Sequence, residues 1–199
     1  MKSKRPMLIG CLCLLLLGIG TTAAYLTYWQ SRNNQITVGT STIEIEENYK
    51  PPQKLQTGTT IFQKRVQVKN TGNTPCFARV YADFSDSSIK KLASLSPDGT
   101  EYVPASDYVS HLPAGWEYID ETEDPLLGGY FYWTDAVAPD KKTDPLFEKV
   151  KLVFENQDQI RDFDLIVYGE CVQTLDKNGT EFSGPDTWKQ AWGEFLERR

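Results

Sequence analysis

The side chains able to do chemistry in this 199-residue chain are few: one histidine, His111, and four cysteines, Cys11, Cys13, Cys76 and Cys171. A single histidine excludes an HExxH zinc site and any centre with two imidazole ligands. Ser-His or Cys-His catalysis would need His111 as its base. That residue sits in Tyr108-Val109-Ser110-His111-Leu112-Pro113, with no second His or Glu at helical spacing, and reads as a packing or solvent-facing side chain. Asp120-Glu121-Thr122-Glu123-Asp124 lacks the alternating Asp/Asn/Gly pattern of a calcium loop and reads as a solvated acidic tip. Asn178-Gly179-Thr180 matches a glycosylation acceptor in letters but reads as a hairpin turn. Trp116, Tyr118, Tyr130, Tyr132 and Trp133 fit either a carbohydrate-binding face or a core. These residues point away from an enzyme, and toward no metal and no cofactor. The net charge of -6 argues against nucleic acid as a partner.

The elements that position these residues begin with export. Lys2, Lys4 and Arg5 form a positive start, and Met7 to Gly20 is an apolar run of 14 residues. That run suits a signal peptide and is short for a membrane span. Thr21, Thr22, Ala23 and Ala24 supply the small residues at which a peptidase cuts, so residues 1–24 read as a signal helix cleaved between Ala24 and Tyr25. An uncleaved anchor is the competing reading. The lipobox letters Leu8-Ile9-Gly10-Cys11 would leave too short an apolar core before the cut. Cleavage takes the net charge from -6 to -9 and leaves Cys76 and Cys171 as the mature cysteines. In an exported chain this pair reads equally as a disulfide or as two buried free thiols.

The mature chain carries β signals. Hydrophobic residues at 40% and aromatics at 12% suffice for a core and exclude a wholly disordered chain. Ile36 to Glu46 (ITVGTSTIEIE), Phe62 to Lys69 (FQKRVQVK) and Cys76 to Phe84 (CFARVYADF) read as consecutive antiparallel strands with short connections. Residues 85–128 read as an irregular insertion carrying Tyr102, Tyr108, Trp116 and Tyr118. Strands resume at Gly129 to Trp133, Phe147 to Phe154 and Asp164 to Leu175. Two Thr- and Pro-containing loops each deliver a buried Phe and then a strand, at Phe62 and Phe147. With no βαβ alternation, the class is an all-β, two-sheet antiparallel sandwich over residues 35–184, jelly-roll-like. Residues 25–34 form an N-terminal segment. In the tail, 185–199, Trp188, Trp192 and Phe195 fall on one helical face.

Gly18-Ile19-Gly20-Thr21-Thr22-Ala23-Ala24-Tyr25 resembles the signal-peptide end of the TasA/camelysin family of Gram-positive bacteria. Ile36 to Ile45, Val66 to Gly72 and Asp164 to Gln173 resemble the family's first, second and last mature strands. The resemblance implies a jelly-roll-like sandwich, export through the dedicated signal peptidase SipW, and a place in the extracellular biofilm matrix. It further implies fibres, in which the N-terminal segment of one subunit completes the sheet of the next. Tyr25, Leu26, Tyr28 and Trp29 would be that donor segment, with other copies and other matrix proteins as partners. A monomeric cell-surface binding module or adhesin is the alternative. Camelysin has been regarded as a metalloprotease, a reading that here would rest on His111 alone. The membrane would be a partner only before signal cleavage. N-terminal sequencing of secreted protein is expected to begin at Tyr25, and recovery of an intact Met1 terminus from membranes would overturn the export reading.

Overall fold

The computed structural model describes residues 41–52 and 54–198. The signal peptide, the cut between Ala24 and Tyr25, the donor segment and the start of the first strand lie outside these residues. The described residues form two antiparallel sheets with few helices, an all-β two-sheet sandwich. Sheet A has the order β1 (Ile43–Lys50), β2 (Gly58–Asn70), β8 (Phe147–Phe154), β4 (Ala93–Ser96), β5 (Val103–Pro104), and sheet B the order β6 (Trp116–Ile119), β7 (Tyr130–Trp133), β3 (Cys76–Phe84), β9 (Leu165–Gln173). Strands β1 (Ile43–Lys50) and β2 (Gly58–Asn70) pair along the whole of β1, as alternation of Ile43 and Ile45 with Glu44 and Glu46 requires. Strand β3 (Cys76–Phe84) does not continue that meander. It crosses to sheet B, so the Asn70-Thr71-Gly72-Asn73 turn is a corner between sheets and not a hairpin.

The corner is built around Asn70, which is fully buried. Its amide nitrogen donates to the carbonyls of Thr74 at 2.8 Å and Val137 at 2.7 Å, and its Oδ1 accepts from the Gly72 N–H at 2.8 Å. A buried amide is tolerated there because its hydrogen bonds are met. Beyond Gln63 the register between β2 and β8 (Phe147–Phe154) shifts. The loop before β8 takes over: the N–H groups of Leu146 and Thr143 donate to the carbonyls of Val66 and Val68, and the Asn70 N–H donates to the Lys141 carbonyl. Phe62 and Phe147 are buried at these two corners, as their spacing suggests.

Residues 85–128 contribute more to the sandwich than an irregular excursion would. After a short helix α1 (Ser87–Lys90), strand β4 (Ala93–Ser96) pairs with β8 and with the short β5 (Val103–Pro104). Strand β6 (Trp116–Ile119) pairs with β7 (Tyr130–Trp133). Two aromatics anchor the intervening loops to the segment before β8. The Tyr108 hydroxyl donates to the Leu146 carbonyl at 2.5 Å, and the Trp116 indole N–H to that of Asp144 at 3.0 Å. Ile89, Leu95, Tyr108 and Trp116 therefore join the main core. The irregular connections between these strands disguised them in the sequence.

Strand β9 (Leu165–Gln173) pairs with β3 over nine successive residues without a bulge. At Gly169 a Cβ would stand 2.5 Å from Ile45 Cδ1, so the missing side chain lets β1 pack over β9. Val66, Val68 and Val80 are fully buried in one core, and Leu165 and Val167 pack against it partly buried. Helix α2 (Thr187–Leu196) lies on the outer face of sheet B. Val80→Asp is expected to cost about 4 kcal/mol or more, because the carboxylate is buried unpaired. Val167→Asp should cost less, since that side chain reaches solvent. Urea denaturation of both variants checks the order, and equal losses would contradict the placement.

Candidate functional site

The pleat sorts the five aromatics that fit either a binding face or a core. Trp116, Tyr118 and Trp133 belong with the main core between the sheets. Tyr130 and Tyr132 face the other way, outward from sheet B. On that outer face they meet residues from far along the chain: Tyr132 lies opposite Arg79 in β3, and Arg79 lies opposite Glu170 in β9. One rung on, Tyr81 of β3 lies opposite Tyr168 of β9, and its ring packs against that of Tyr130. Strands β7, β3 and β9 thus present a patch of four tyrosines, one arginine and one glutamate.

Arg79 is the centre of this patch, and only 3% of it is exposed. Its guanidinium lies between two rings, 3.8 Å from the Tyr130 centroid and 4.2 Å from that of Trp192. In the plane of the fork, Nε donates to Glu170 Oε2 at 2.8 Å, Nη2 donates to the same oxygen, and Nη1 donates to the Tyr132 hydroxyl at 3.2 Å. Burial works against the charge, but the bonds to Tyr132 and Glu170 outweigh it and hold the pKa above its ordinary value. The flat, delocalised cation is the group that can stack and pair at once. The Tyr132 hydroxyl itself donates to the Leu127 carbonyl at 2.6 Å.

Trp192, Trp188 and Ala191 of α2 cover one half of the outer face, over Phe77, Ile119, Tyr132 and Val172. The spacing of the tryptophans foretold the helical face, and the structure supplies the surface it packs on. The other half carries Tyr81, Tyr130 and Tyr168. The rings of Tyr81 and Tyr168 stack at 4.9 Å and 18°, and that of Tyr130 stands edge-on to both. The hydroxyls of Tyr130 and Tyr168 are 3.2 Å apart. This hydrogen bond, followed by partial burial, pushes the Tyr168 phenol up to about 12. Tyr168 remains 43% exposed.

The other candidate residues are dispersed. His111 is exposed, with Nδ1 3.1 Å from the Asp107 carbonyl. The carboxylates of the acidic tip serve its turns: Asp120 accepts from the Thr122 N–H and hydroxyl, and Asp124 from the N–H groups of Leu126 and Leu127. Among the described residues, no group of three or more His, Cys, Asp or Glu side chains is placed to hold a metal ion. Asp176 accepts from the N–H groups of Asn178 and Thr180, closing the hairpin turn read at Asn178-Gly179. Cys171 lies opposite Ala78, which makes it a diagonal neighbour of Cys76 on the inner face of sheet B. Both are free thiols in mutual contact. The hydrogen bond with Cys171, in which the Cys76 S–H is the donor, followed by burial, pushes the Cys76 thiol up, and the same bond holds the Cys171 thiol below its ordinary value.

Of the four edge strands among the described residues, β1, β5, β6 and β9, the two long ones complete the candidate surfaces. Among the described residues, β1 and β9 each pair on one side only. Strand β1 carries Glu44, Glu46, Glu47 and Lys50, charges of the kind that guard an edge. Strand β9 carries one charged side chain, Glu170, already engaged by Arg79, and exposes Ile166 and Tyr168. No protein-family model and no curated protein matches the chain.

The Tyr168 phenol gives a pH test. A folded pKa above the unfolded value of about 10 favours the protonated native state, so its contribution is full below pH 10 and is lost as pH rises through 12. Burial also holds Tyr102, Tyr108, Tyr118 and Tyr132 above the usual phenol range, so spectrophotometric titration at roughly 295 nm should show a group of late-titrating tyrosines from which one moves toward 10 in Tyr130→Phe. An unchanged number of late-titrating tyrosines in the variant would remove the hydroxyl pair from the site.

Proposed function

We propose that this protein is a secreted structural subunit of an extracellular, biofilm-type matrix, polymerising by β-strand addition between copies. The observation that supports this reading is the open edge of β9: nine residues, no bulge, no proline, and one charged side chain that is already paired. Edges of this kind template another strand unless they are guarded, and β1, the other long edge, is guarded. Strand addition pairs the exposed backbone groups and seats alternate side chains of the incoming segment.

The segment we assign as donor is Tyr25 to Ser31, with Tyr25, Leu26, Tyr28 and Trp29 as its apolar side chains. Signal peptidase frees it, and the membrane is engaged only until that cut. Once free, its apolar surface faces water at a cost of about 25 cal/mol per Å², which addition to a neighbour relieves. Export is thereby coupled to assembly, and the mature protein resides in the matrix or at the cell surface. Other matrix proteins that offer an unguarded edge are partners by the same chemistry.

Electron microscopy of two chains tests this, one beginning at Tyr25 and one at Asn33. The longer chain is expected to form fibres and the shorter to stay monomeric with the same melting temperature. Ile166→Lys in the longer chain places a charge on the exposed side of β9 and should suppress fibres without unfolding the sandwich. If both chains stay monomeric at high concentration and low pH, strand addition is wrong and the monomeric binding-module reading replaces it.

A further inference from the structure

Tyr81, Tyr130 and Tyr168 stand above the plane in which strand addition pairs backbone groups, but a strand added along β9 would bring its own side chains beside Tyr168. Tyr81 sits on the middle strand of the three, and Tyr168 stacks on it from the edge strand. One face of the Tyr168 ring is therefore taken by Tyr81. The opposite face points off the sheet edge, where among the described residues no further strand lies. The ring is held in place: its hydroxyl meets that of Tyr130, Tyr130 lies against Arg79, and Arg79 is clamped by Glu170, Tyr132 and Trp192. A half-exposed aromatic ring with a fixed orientation loses little freedom when something stacks on it.

The charges around the ring select among occupants. Asp83 stands one rung beyond Tyr81, opposite the exposed Ile166, and Glu170 stands on the other side of Tyr168 along β9. Both carboxylates are paired: Arg79 is buried and turned toward Glu170, and Lys90 lies 2.8 Å from Asp83. An ionic polymer of either sign would meet charges already paired with one another. A neutral chain of sugars meets an apolar ring for its C–H faces and carboxylate and phenol oxygens for its hydroxyls.

We propose that Tyr168, fixed by Tyr81 and Tyr130 on the outer face of sheet B, binds a neutral polysaccharide by stacking its open ring face on pyranose C–H groups. A strand added along β9 would cover that ring face, so the site is open on the unpolymerised subunit; polymerisation is scored without polysaccharide and binding on the monomeric chain, and either result stands without the other.

Native electrophoresis of the chain beginning at Asn33, which keeps every described residue and leaves the β9 edge free, in gels cast with a soluble β-glucan, a galactomannan or alginate, tests the site. Retardation is expected in a neutral gel and not in alginate. Tyr168→Ala should weaken it roughly tenfold, the effect of losing about 1.4 kcal/mol of contact. Tyr168→Phe, which keeps the ring, should retain most of it, and Tyr102→Ala, on the other sheet, all of it. If Tyr168→Ala also lowers the melting temperature, Tyr168→Leu replaces it, keeping apolar bulk without the flat face. No retardation in either neutral gel, retardation in alginate alone, or equal retardation of the wild type and the Tyr168 variants that lack the ring would overturn the proposal. The last two outcomes would assign the surface to an anionic polymer or leave the rings as a cross-strand packing cluster.

Discussion

The sandwich depends on how β2 ends. A strand pairs continuously only while its neighbours keep register, and β2 loses β8 as a partner halfway along. Its remaining backbone groups would be buried unpaired, at a cost of about 1–3 kcal/mol each. The loop ahead of β8 meets that demand by running alongside Val66 to Asn70, and Asn70 joins three stretches of chain at the point where the path leaves sheet A. Strand β3 can then start in sheet B, and the two sheets face each other across Val66, Val68 and Val80. The same loop receives Tyr108 and Trp116, which place β4, β5 and β6. An asparagine is well suited to this corner, because it supplies two donors and an acceptor with no charge to bury.

Sheet B has a second constraint that sheet A lacks. Its outer face is apolar enough to need a cover, and α2 provides one over half of it. Arg79 marks the boundary between the covered and uncovered halves. It stacks on Trp192 from the helix and on Tyr130 from the sheet, while Glu170 neutralises it within the layer. Removing one member of such a buried ionic cluster is more costly than the cluster's net stabilisation, since the remaining charge is left unpaired. The helix and the tyrosine patch are therefore mechanically linked through one guanidinium.

The two long edges differ in chemistry although they lie one above the other, joined where Ile43 and Ile45 rest on Gly169. Carboxylates along β1 resist an added strand, and β9 lacks them. A polymer built through β9 would place the tyrosine patch of each subunit near the junction. Self-assembly and adhesion to a sugar polymer compete on this geometry, because a strand added along β9 lies where the open face of the Tyr168 ring points.

The sequence by itself determined the strands with clean alternation, the all-β class, the two buried phenylalanines at the corners and the helical face of the tail. Period-two and period-3.6 patterns are local, and each of these features follows from residues within a few positions of one another. It also narrowed catalysis to His111 and raised the pairing of Cys76 with Cys171, without deciding between bond and thiols. Only the tertiary structure decided that the turn after Asn70 changes sheets, since the choice depends on Val137, sixty-seven residues away. Residues 85–128 hid β4 and β6 because short strands in irregular connections have no period to read. The tyrosine patch was hidden for the same kind of reason. Tyr81, Tyr130 and Tyr168 share a face because three strands distant in sequence align in one register, and register is set by the packing of whole sheets, not by spacing along the chain.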